Sequence, residues 1–312
     1  MKIVFMGTPD FAVPSLEKLI STDGYEVVGV FTQPDKPKGR GYTLTPPPVK
    51  VCATEHSIPV YQPESVKNGE AMPILEELQP DVIVVAAFGM LLKSDVLDFP
   101  KYGCMNVHGS ILPKYRGAAP IQRAVIDGEE YSGITIMQMG VGLDTGDMLV
   151  KREVKIEENE TSGELFDRLA ILGADVLIEA LELAQKGELK PEKQDDEKSS
   201  YAAMLSKAEC PVDFTKSSQE IHNKIRGLSP WPVATANLNG EVFKLHASLK
   251  TDRTAPNGAQ PGKLIAEKDA LYVVCGDGKL LNLTVVQPFG SKRMPAADYL
   301  RGHKITEESV LN

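Results

Sequence analysis

Short apolar runs alternate with amphipathic, helix-like stretches through the first half of the chain. Five runs are predicted to be strands: Lys2–Met6, Glu26–Thr32, Asp81–Phe88, Cys104–His108 and Gly133–Met139. The stretches between them, beginning with a predicted helix over Pro9–Ile20, are typical of βαβ units. The pattern predicts an α/β fold with a doubly wound, mostly parallel, Rossmann-like sheet. Ligands of such sheets bind beyond the carboxyl ends of the strands.

The clearest helix is predicted from Thr161 to Gly187. Thr161 and Glu164 have the spacing of a capping box, apolar residues repeat at helical spacing, and Gly187 is a stop signal. The polar, charged stretch over 188–200 has the composition of a linker. We therefore predict one domain over residues 1–187, a linker over 188–206 and a second domain over 207–312.

The pattern changes in the last third of the chain. A helix-like segment near Ser217–Gly227 is followed by evenly spaced strand patterns, with turn signals such as Asn239-Gly240 between them. The predicted strands are Ala234–Leu238, Val242–Leu249, Leu271–Cys275 and Leu280–Val286. This spacing predicts a small, OB-like β-barrel. Trp231, which lies between two prolines, is predicted to be a core or hinge residue.

Composition limits the class of protein. With 312 residues, 42% of them apolar and 25% charged, the chain is of the soluble globular type, not a collagen, a coiled coil or a disordered protein. Its four widely spaced cysteines disfavour a disulfide framework or a structural zinc site. Pro9 and Asp10 interrupt the first apolar run, and no later run is long enough to cross a bilayer. We expect a cytoplasmic protein that does not associate with membranes.

The net charge of −9 is unevenly distributed. Residues 1–206 have 20 Lys and Arg against 32 Asp and Glu, whereas residues 207–312 have 14 against 11. A mildly basic second domain on an acidic first domain could guide a polyanion to one side of the molecule. By charge alone, a solvated surface without a charged partner is favoured over a nucleic-acid site.

Candidate chemistry lies at the end of the fourth predicted strand. Asn106 and His108 are two residues apart, so their side chains share one face of the strand. An amide and an imidazole side by side can both donate to a developing oxyanion. The alternative is a pair of capping residues.

The first strand leads into Gly7-Thr8-Pro9-Asp10-Phe11, which lacks the GxGxxG fingerprint and so disfavours dinucleotide chemistry.

A second polar loop, Gly140–Asp147, follows the predicted strand Gly133–Met139. One of its carboxylates could orient and charge His108 for proton transfer. The alternatives are a turn that uses Asp and Gly for their backbone tolerance, or a metal site at Asp144 and Asp147, which no EF-hand spacing supports.

The run from Asn106 through Pro120, together with the GLDTGD stretch over 142–147, resembles the folate-dependent formyltransferases, most closely their tRNA-acting members. Further segments fit this family in the same order, so that the resemblance covers nearly the whole chain: Phe5–Phe11, Gly29–Lys50, Gly133–Met148 and Asn223–Pro232. The resemblance implies that Asn106, His108 and Asp144 are catalytic. It also implies that the folate-binding segment is Ser110, Ile111, Leu112 and Pro113. The wall of the pterin pocket would be formed by Phe88, Gly89, Met90 and Leu91.

In this family a loop after the second strand approaches the acceptor arm of tRNA. Here the loop is Asp35–Lys50, and the cations that the resemblance assigns to tRNA binding are Lys36, Lys38, Arg40 and Lys50, with Arg40 the best single candidate. The alternative for these charges is a solvated loop.

The resemblance implies transfer of the formyl group of 10-formyltetrahydrofolate to the α-amino group of methionyl-initiator tRNA. The amine would attack directly, without a metal ion and without a Ser or Cys nucleophile, and a monomer is expected. Three alternatives stay open: the same transfer to an amino sugar nucleotide, hydrolysis of formyltetrahydrofolate, and a non-catalytic RNA-binding module. The complete set of Asn106, His108 and Asp144 disfavours the last of these.

Overall fold

A computed structural model describes residues 1–38, 42–66 and 69–312 of the chain. Their contacts divide the chain into two compact units. Unit 1 contains Met1–Gly117, Ser132–Val154 and Phe166–Tyr201, and unit 2 contains Ala118–Tyr131, Lys155–Leu165 and Ala202–Asn312.

Unit 1 is built on a seven-stranded sheet. Its strands in chain order are β1 (Lys2–Gly7), β2 (Glu26–Phe31), β5 (Val60–Tyr61), β6 (Val82–Ala86), β7 (Cys104–His108), β9 (Tyr131–Gln138) and β10 (Met148–Lys155). Their spatial order is β10-β9-β7-β6-β1-β2-β5. The order therefore reverses at β1, with β2 on one side and β6 on the other. This confirms the predicted α/β fold with a doubly wound sheet.

The sheet is mostly parallel, with one antiparallel side. β1 pairs in parallel with β2 and β6, and β6 with β7. β9 runs antiparallel to β7, with Asn106 opposite Met137 and His108 opposite Thr135. Because β6 and β7 are parallel, their carboxyl ends lie at the same edge of the sheet, which brings the residues after Ala86 close to those after His108.

The helices of unit 1 pack against this sheet. They are α1 (Val13–Ser21), α2 (Pro48–Glu55), α3 (Ala71–Leu78), α4 (Ser94–Leu97) and most of α6 (Ser162–Lys186). Gly173 lets α6 approach the sheet closely, since a Cβ there would lie 2.9 Å from Cγ1 of Val107. α6 has the predicted capping box, in which Thr161 N donates to Glu164 at 2.8 Å and Glu164 N donates to the Thr161 hydroxyl at 3.2 Å.

Among the described residues, four short strands lie outside the two main sheets: β3 (Lys36–Lys38), β4 (Thr43–Thr45), β8 (Arg116–Gly117) and β11 (Tyr201–Ala202). β3 and β4 form a small antiparallel ribbon within the predicted loop Asp35–Lys50.

Unit 2 contains an antiparallel β domain, as predicted. Its strands are β12 (Ala234–Leu238), β13 (Glu241–Leu249), β14 (Leu264–Glu267), β15 (Ala270–Val274), β16 (Leu280–Gln287) and β17 (Met294–Pro295), and its short helices are α5 (Pro120–Asp127), α7 (Ser218–Gly227) and α8 (Ala296–Gly302). The main order is β12-β13-β16-β15-β14. Residues at the carboxyl end of the chain bond to both edge strands, through Asn312 to Asn237 and through Ser309 to Leu264. The sheet is thereby closed into a barrel, in agreement with the OB-like prediction.

A buried polar network joins α7 to its surroundings within unit 2. Arg226 is 6% exposed and donates to the carbonyl oxygens of Glu157 and Glu160 at 3.2 and 3.1 Å. His222, 1% exposed, contacts the Ser248 hydroxyl through Nδ1 at 2.9 Å and the Glu158 carbonyl through Nε2 at 3.0 Å. Burial lowers the pKa of His222. The network ties α7 to the segment 157–160 and to β13.

Trp231 is 57% exposed, so its prediction as a core residue is wrong. The predicted domains are two continuous parts of the chain, whereas the two compact units are not continuous. Residues 118–131 and 155–165 belong to unit 2 together with residues 202–312. The domain limits at 187 and 206 stay a prediction.

Candidate active site

The carboxyl end of β7 carries the first two predicted catalytic residues. Asn106 and His108 point to the same side of the strand because side chains alternate. Asn106 is half-buried, and its side-chain amide has no hydrogen-bond partner among the described residues. Polar side chains in protein interiors are generally paired, so a free amide at this edge is available to a ligand.

His108 is 5% exposed and both of its ring nitrogens face protein groups. Nε2 lies 2.9 Å from the carbonyl oxygen of Tyr115, and Nδ1 lies 3.8 Å from Oδ2 of Asp144. Because a carbonyl only accepts, Nε2 is the nitrogen that carries hydrogen in this contact. The ring is therefore oriented by Tyr115 and faces the carboxylate with its other nitrogen.

Asp144 lies in the loop between β9 and β10. Its carboxylate accepts the backbone N–H of Gly117 at 2.8 Å, and its φ angle of +51° is in the left-handed region, which Asp tolerates better than most residues. The structure brings Asn106, His108 and Asp144 together at one edge of the sheet of unit 1. Asp147 was named in the sequence analysis only as one half of an alternative metal site with Asp144. Its backbone carbonyl oxygen accepts the N–H of Gln138 at 2.8 Å.

The predicted folate segment Ser110–Pro113 leaves β7 beside this group. Ser110 is 1% exposed and its hydroxyl donates to the carbonyl of Lys114 at 2.7 Å. Thr135 of β9 fixes the segment, because its hydroxyl donates to Ser110 O at 2.7 Å and accepts from Leu112 N at 3.1 Å. Leu112 is buried, while Ile111 and Pro113 are half-buried. The segment can thus offer two partly exposed side chains to a ligand, while Thr135 holds its backbone in place.

The predicted pterin-pocket wall follows β6 at the same edge. The Phe88 side chain is 1% exposed, whereas Leu91 is 55% exposed and Met90 half-buried. Gly89 has a φ of +78°, which other residues rarely adopt. The carbonyl of Phe88 accepts from the Thr8 hydroxyl at 3.1 Å and from the Gln33 amide at 3.0 Å. Loops after β1, β2 and β6 therefore meet at this carbonyl.

Two of the four predicted tRNA-binding cations are engaged within the protein. Lys50 Nζ contacts both carboxylate oxygens of Asp35 at 2.9 Å and Gln62 at 2.7 Å. Hydrogen bonds from Gln62 and Lys50 hold the pKa of Asp35 below its usual value. Lys36 is exposed and donates to Gln33 at 2.6 Å. The backbone of Lys38 belongs to β3, and Arg40 lies outside the described residues.

Three contacts at the site could not be found from the sequence. They are the Tyr115 carbonyl against His108, the Gly117 amide against Asp144, and Gln194, whose side-chain amide donates to the carbonyl of Asp144 at 2.8 Å. Two are backbone groups, and Gln194 lies in a charged run without periodicity. Nothing in residue type or spacing distinguishes them.

Among the residues with assigned positions, no three His, Cys, Asp or Glu side chains form a group that could hold a metal ion. None of the described helices is both long and apolar enough to cross a membrane.

Comparison with known proteins identifies the family. A family model described as formyl transferase matches residues 1–181, and one described as formyl transferase, C-terminal domain, matches residues 204–304. The methionyl-tRNA formyltransferase of Bacillus subtilis is 50% identical over 311 residues, which are 99% of this chain and 97% of the relative. That of Bacillus licheniformis is 49% identical over 302 residues, 96% of this chain and 95% of the relative.

The fold has solved counterparts. The N-formyltransferase from Helicobacter canadensis, in a complex with folinic acid and dTDP-3-aminofucose, superposes with a TM-score of 0.68 at 20% identity. The match covers 93% of this chain and 100% of that one. Together, the full-length matches in sequence and the agreement in fold show that the chain belongs to the formyl transferase family and, within it, to the methionyl-tRNA formyltransferases.

Proposed function

We propose that the protein transfers the formyl group of 10-formyltetrahydrofolate to the α-amino group of methionyl-initiator tRNA, giving N-formylmethionyl-tRNA for the initiation of translation. The observation that carries this proposal is the convergence of a free amide, Asn106, with His108 and Asp144 at one edge of the sheet. The relatives at about 50% identity over their whole length support the acceptor.

Asn106 is proposed to stabilise the oxyanion. When the amine attacks the formyl carbon, negative charge develops on the formyl oxygen, and a preorganised N–H donor lowers the barrier. Asn106 has a half-buried amide that is not used elsewhere among the described residues, so it can donate without breaking another bond. His108 could add a second donor only by turning its Nε2–H away from Tyr115.

His108 and Asp144 are proposed to handle protons. The attacking amine must lose a proton and the departing N10 of the folate must gain one. His108 Nδ1 faces the Asp144 carboxylate across 3.8 Å, a gap that a small movement or one water closes. With Nε2 held by Tyr115, the exchanging position is Nδ1. Atoms balance: the new C–N bond forms, the C–N10 bond breaks, and the amine proton ends on N10.

The folate donor is proposed to lie between the segments Ser110–Pro113 and Phe88–Leu91. Both leave parallel neighbouring strands at the same edge as Asn106, and both have partly exposed apolar side chains, which suit a planar pterin. The Helicobacter canadensis relative in fold binds folinic acid, a formylated folate, and this supports the donor class.

The tRNA acceptor is proposed to approach the loop 35–50. Arg40 and Lys38 are the cations for phosphate contact, and Lys36 is exposed enough to add to them. Because Lys50 is paired with Asp35 inside the loop, we assign it to holding the loop base. We further propose that the protein acts as a monomer in the cytoplasm and that the transfer needs no metal ion.

The test is formyl transfer from 10-formyltetrahydrofolate to methionyl-initiator tRNA, with uncharged tRNA, free methionine and an amino sugar nucleotide as comparison acceptors. Formylation of the charged tRNA alone supports the proposal. Release of tetrahydrofolate without any formylated acceptor would favour a hydrolase, and formylation of the sugar would favour the second acceptor class. With no turnover of the donor, the enzymatic proposal fails.

A further inference from the structure

The charged segment that follows α6 bonds back onto the candidate active site. It begins with a pair of backbone hydrogen bonds between Met148 and Glu192, each 2.8 Å long. It ends where Ser200 O accepts the N–H of Arg116 at 2.9 Å. Between these points Gln194 is half-buried, although most of its neighbours are exposed. One residue of this segment is thus partly covered by its surroundings.

Gln194 joins the two loops that surround His108. Its Nε2 donates to the carbonyl oxygens of Asp144 at 2.8 Å and Gly146 at 2.7 Å, and its Oε1 accepts from Nε of Arg116 at 2.9 Å. A primary amide has two N–H donors and one carbonyl acceptor, so every hydrogen-bonding function of the side chain is in use. Arg116 belongs to the loop that carries Tyr115, so a single side chain fixes both loops.

The backbone of Asp144 is the part that most needs this support. Its left-handed φ of +51° is uncommon outside glycine and persists where surrounding contacts fix it. Gln194 holds the carbonyl of this residue, while Gly117 N holds the carboxylate at 2.8 Å. The place of the carboxylate relative to His108 therefore depends on both contacts.

We propose that Gln194 is a positioning residue, which keeps the Asp144 carboxylate within reach of Nδ1 of His108 by holding the peptide of Asp144. The inference rests on the proposed role of the His108–Asp144 pair in proton transfer. Catalytic groups lose on the order of 100-fold in rate when they move by about 1 Å. A residue that does not touch either substrate can in this way control the chemical step.

The variant Gln194→Glu tests the proposal. Glutamate keeps the length of the side chain and an acceptor for Arg116, but it replaces the NH2 group, with both of its N–H donors, by one oxygen that faces two carbonyls. We expect kcat to fall by roughly 10- to 100-fold with both KM values unchanged, and the pH profile of kcat to change. Lys193→Ala, at an exposed neighbouring position, is the matched control and should keep the wild-type kcat and pH profile.

A double-mutant cycle with Asp144→Asn separates positioning from general damage. If Gln194 acts through Asp144, the double variant is no slower than Asp144→Asn alone. Three outcomes would overturn the inference and leave the proposed function standing. They are multiplied losses of kcat in the double variant, a higher KM in place of a lower kcat for Gln194→Glu, and full activity of Gln194→Glu while Asp144→Asn is impaired. Full activity of Asp144→Asn would overturn the inference together with the proposed role of the His108–Asp144 pair, whereas absence of transfer by the wild-type protein would overturn the proposed function.

A structural readout is independent of the acceptor. A crystal structure of Gln194→Glu should show the peptide of Asp144 displaced and its carboxylate moved relative to His108. If the carboxylate stays in place, the inference is wrong even if the enzyme formylates a different acceptor.

Discussion

Nδ1 of His108 lies 3.8 Å from Oδ2 of Asp144, while the opposite nitrogen of the same ring lies 2.9 Å from the carbonyl oxygen of Tyr115. The second contact is a normal hydrogen bond and the first is too long for one. The ring is therefore fixed at one end and has a short gap at the other. A proton that arrives at Nδ1 can be passed to the carboxylate by a small displacement, and the proposed mechanism asks this of His108 in each turnover.

Asn106→Ala should lower kcat by about 100-fold or more, because it removes the donor that is proposed for the developing oxyanion. The melting temperature should change little, since the Asn106 amide has no hydrogen-bond partner among the described residues whose loss would destabilise the fold. Steady-state kinetics and thermal unfolding measure the two effects. A variant at the exposed Lys101 on the preceding turn serves as the control. A rate within a few-fold of wild type would exclude Asn106 from the chemistry.

Ser200→Ala should lower kcat several-fold without abolishing it. The Ser200 hydroxyl accepts the N–H of Tyr115 at 2.9 Å, and the carbonyl of Tyr115 in turn orients His108. Loss of one such hydrogen bond costs about 1 kcal/mol, so unfolding should change only modestly. Ser200→Thr retains the hydroxyl and should recover most of the rate. Equal rates for the alanine and threonine variants would show that the hydroxyl does not act through His108.

Two glycines of the Asp144 loop should respond differently to alanine. A Cβ at Gly146 would lie 1.7 Å from the carbonyl oxygen of Gln138, whereas a Cβ at Gly140 would meet nothing within 4 Å. Gly146→Ala must therefore shift backbone, which typically costs about 1–3 kcal/mol and would displace the neighbouring Asp144. Gly140→Ala should match wild type in urea unfolding and in kcat. Equal behaviour of the two variants would contradict the close approach of residues 138 and 146.

Two cations of the loop 35–50 should have separable effects. Arg40→Gln should raise KM for tRNA and reduce the dependence of log KM on log salt by roughly 0.7 to 0.9, the change expected for one phosphate contact. Lys50→Met removes the same charge, but Lys50 is already paired with Asp35, so the salt dependence should stay near wild type. KM measured over a salt series distinguishes them. If only Lys50→Met reduces the salt dependence of KM, then Lys50 and not Arg40 contacts the phosphate.

Much of the framework could be predicted from local patterns. The strand Cys104–His108 has its predicted bounds, and α6 differs from its prediction by one residue at each end, because its capping box and terminal glycine act locally. The short strand pairs were not predicted: β3 and β4 have only three residues each, too few to show a period. The exposure of Trp231 depends on tertiary packing, which cannot be predicted from the flanking prolines.

The candidate site could likewise be predicted only in part from the sequence. Asn106 and His108 could be paired from strand alternation, but Asp144 lies 36 positions later in the chain and came from family resemblance. The contacts that hold the His108 ring and the Asp144 backbone, from the Tyr115 carbonyl and the Gln194 amide, depend on how loops meet in space. Such contacts leave no period or motif along the sequence.

The stability of unit 2 should fall as the pH is lowered from about 7.5 to 5.5. Burial lowers the pKa of His222 and of His246 below the usual value of 6.5, and both are neutral partners in hydrogen bonds. In the unfolded chain these rings titrate normally, so the unfolded state binds more protons below pH 6.5 and the folded state loses stability there. Above that pH both states are neutral and the stability is fully present.

His222→Gln removes one of these two groups and should flatten the dependence. Each group contributes a slope of at most about 1.4 kcal/mol per pH unit, and glutamine can retain the bond to the Glu158 carbonyl without titrating. Urea unfolding at pH 7.5 and 5.5, followed for wild type, His222→Gln and the exposed-residue control His56→Gln, measures the difference. If His222→Gln loses as much stability on acidification as the wild type and the control do, the ring of His222 is not buried in its neutral form, and the acid sensitivity of unit 2 must come from another group.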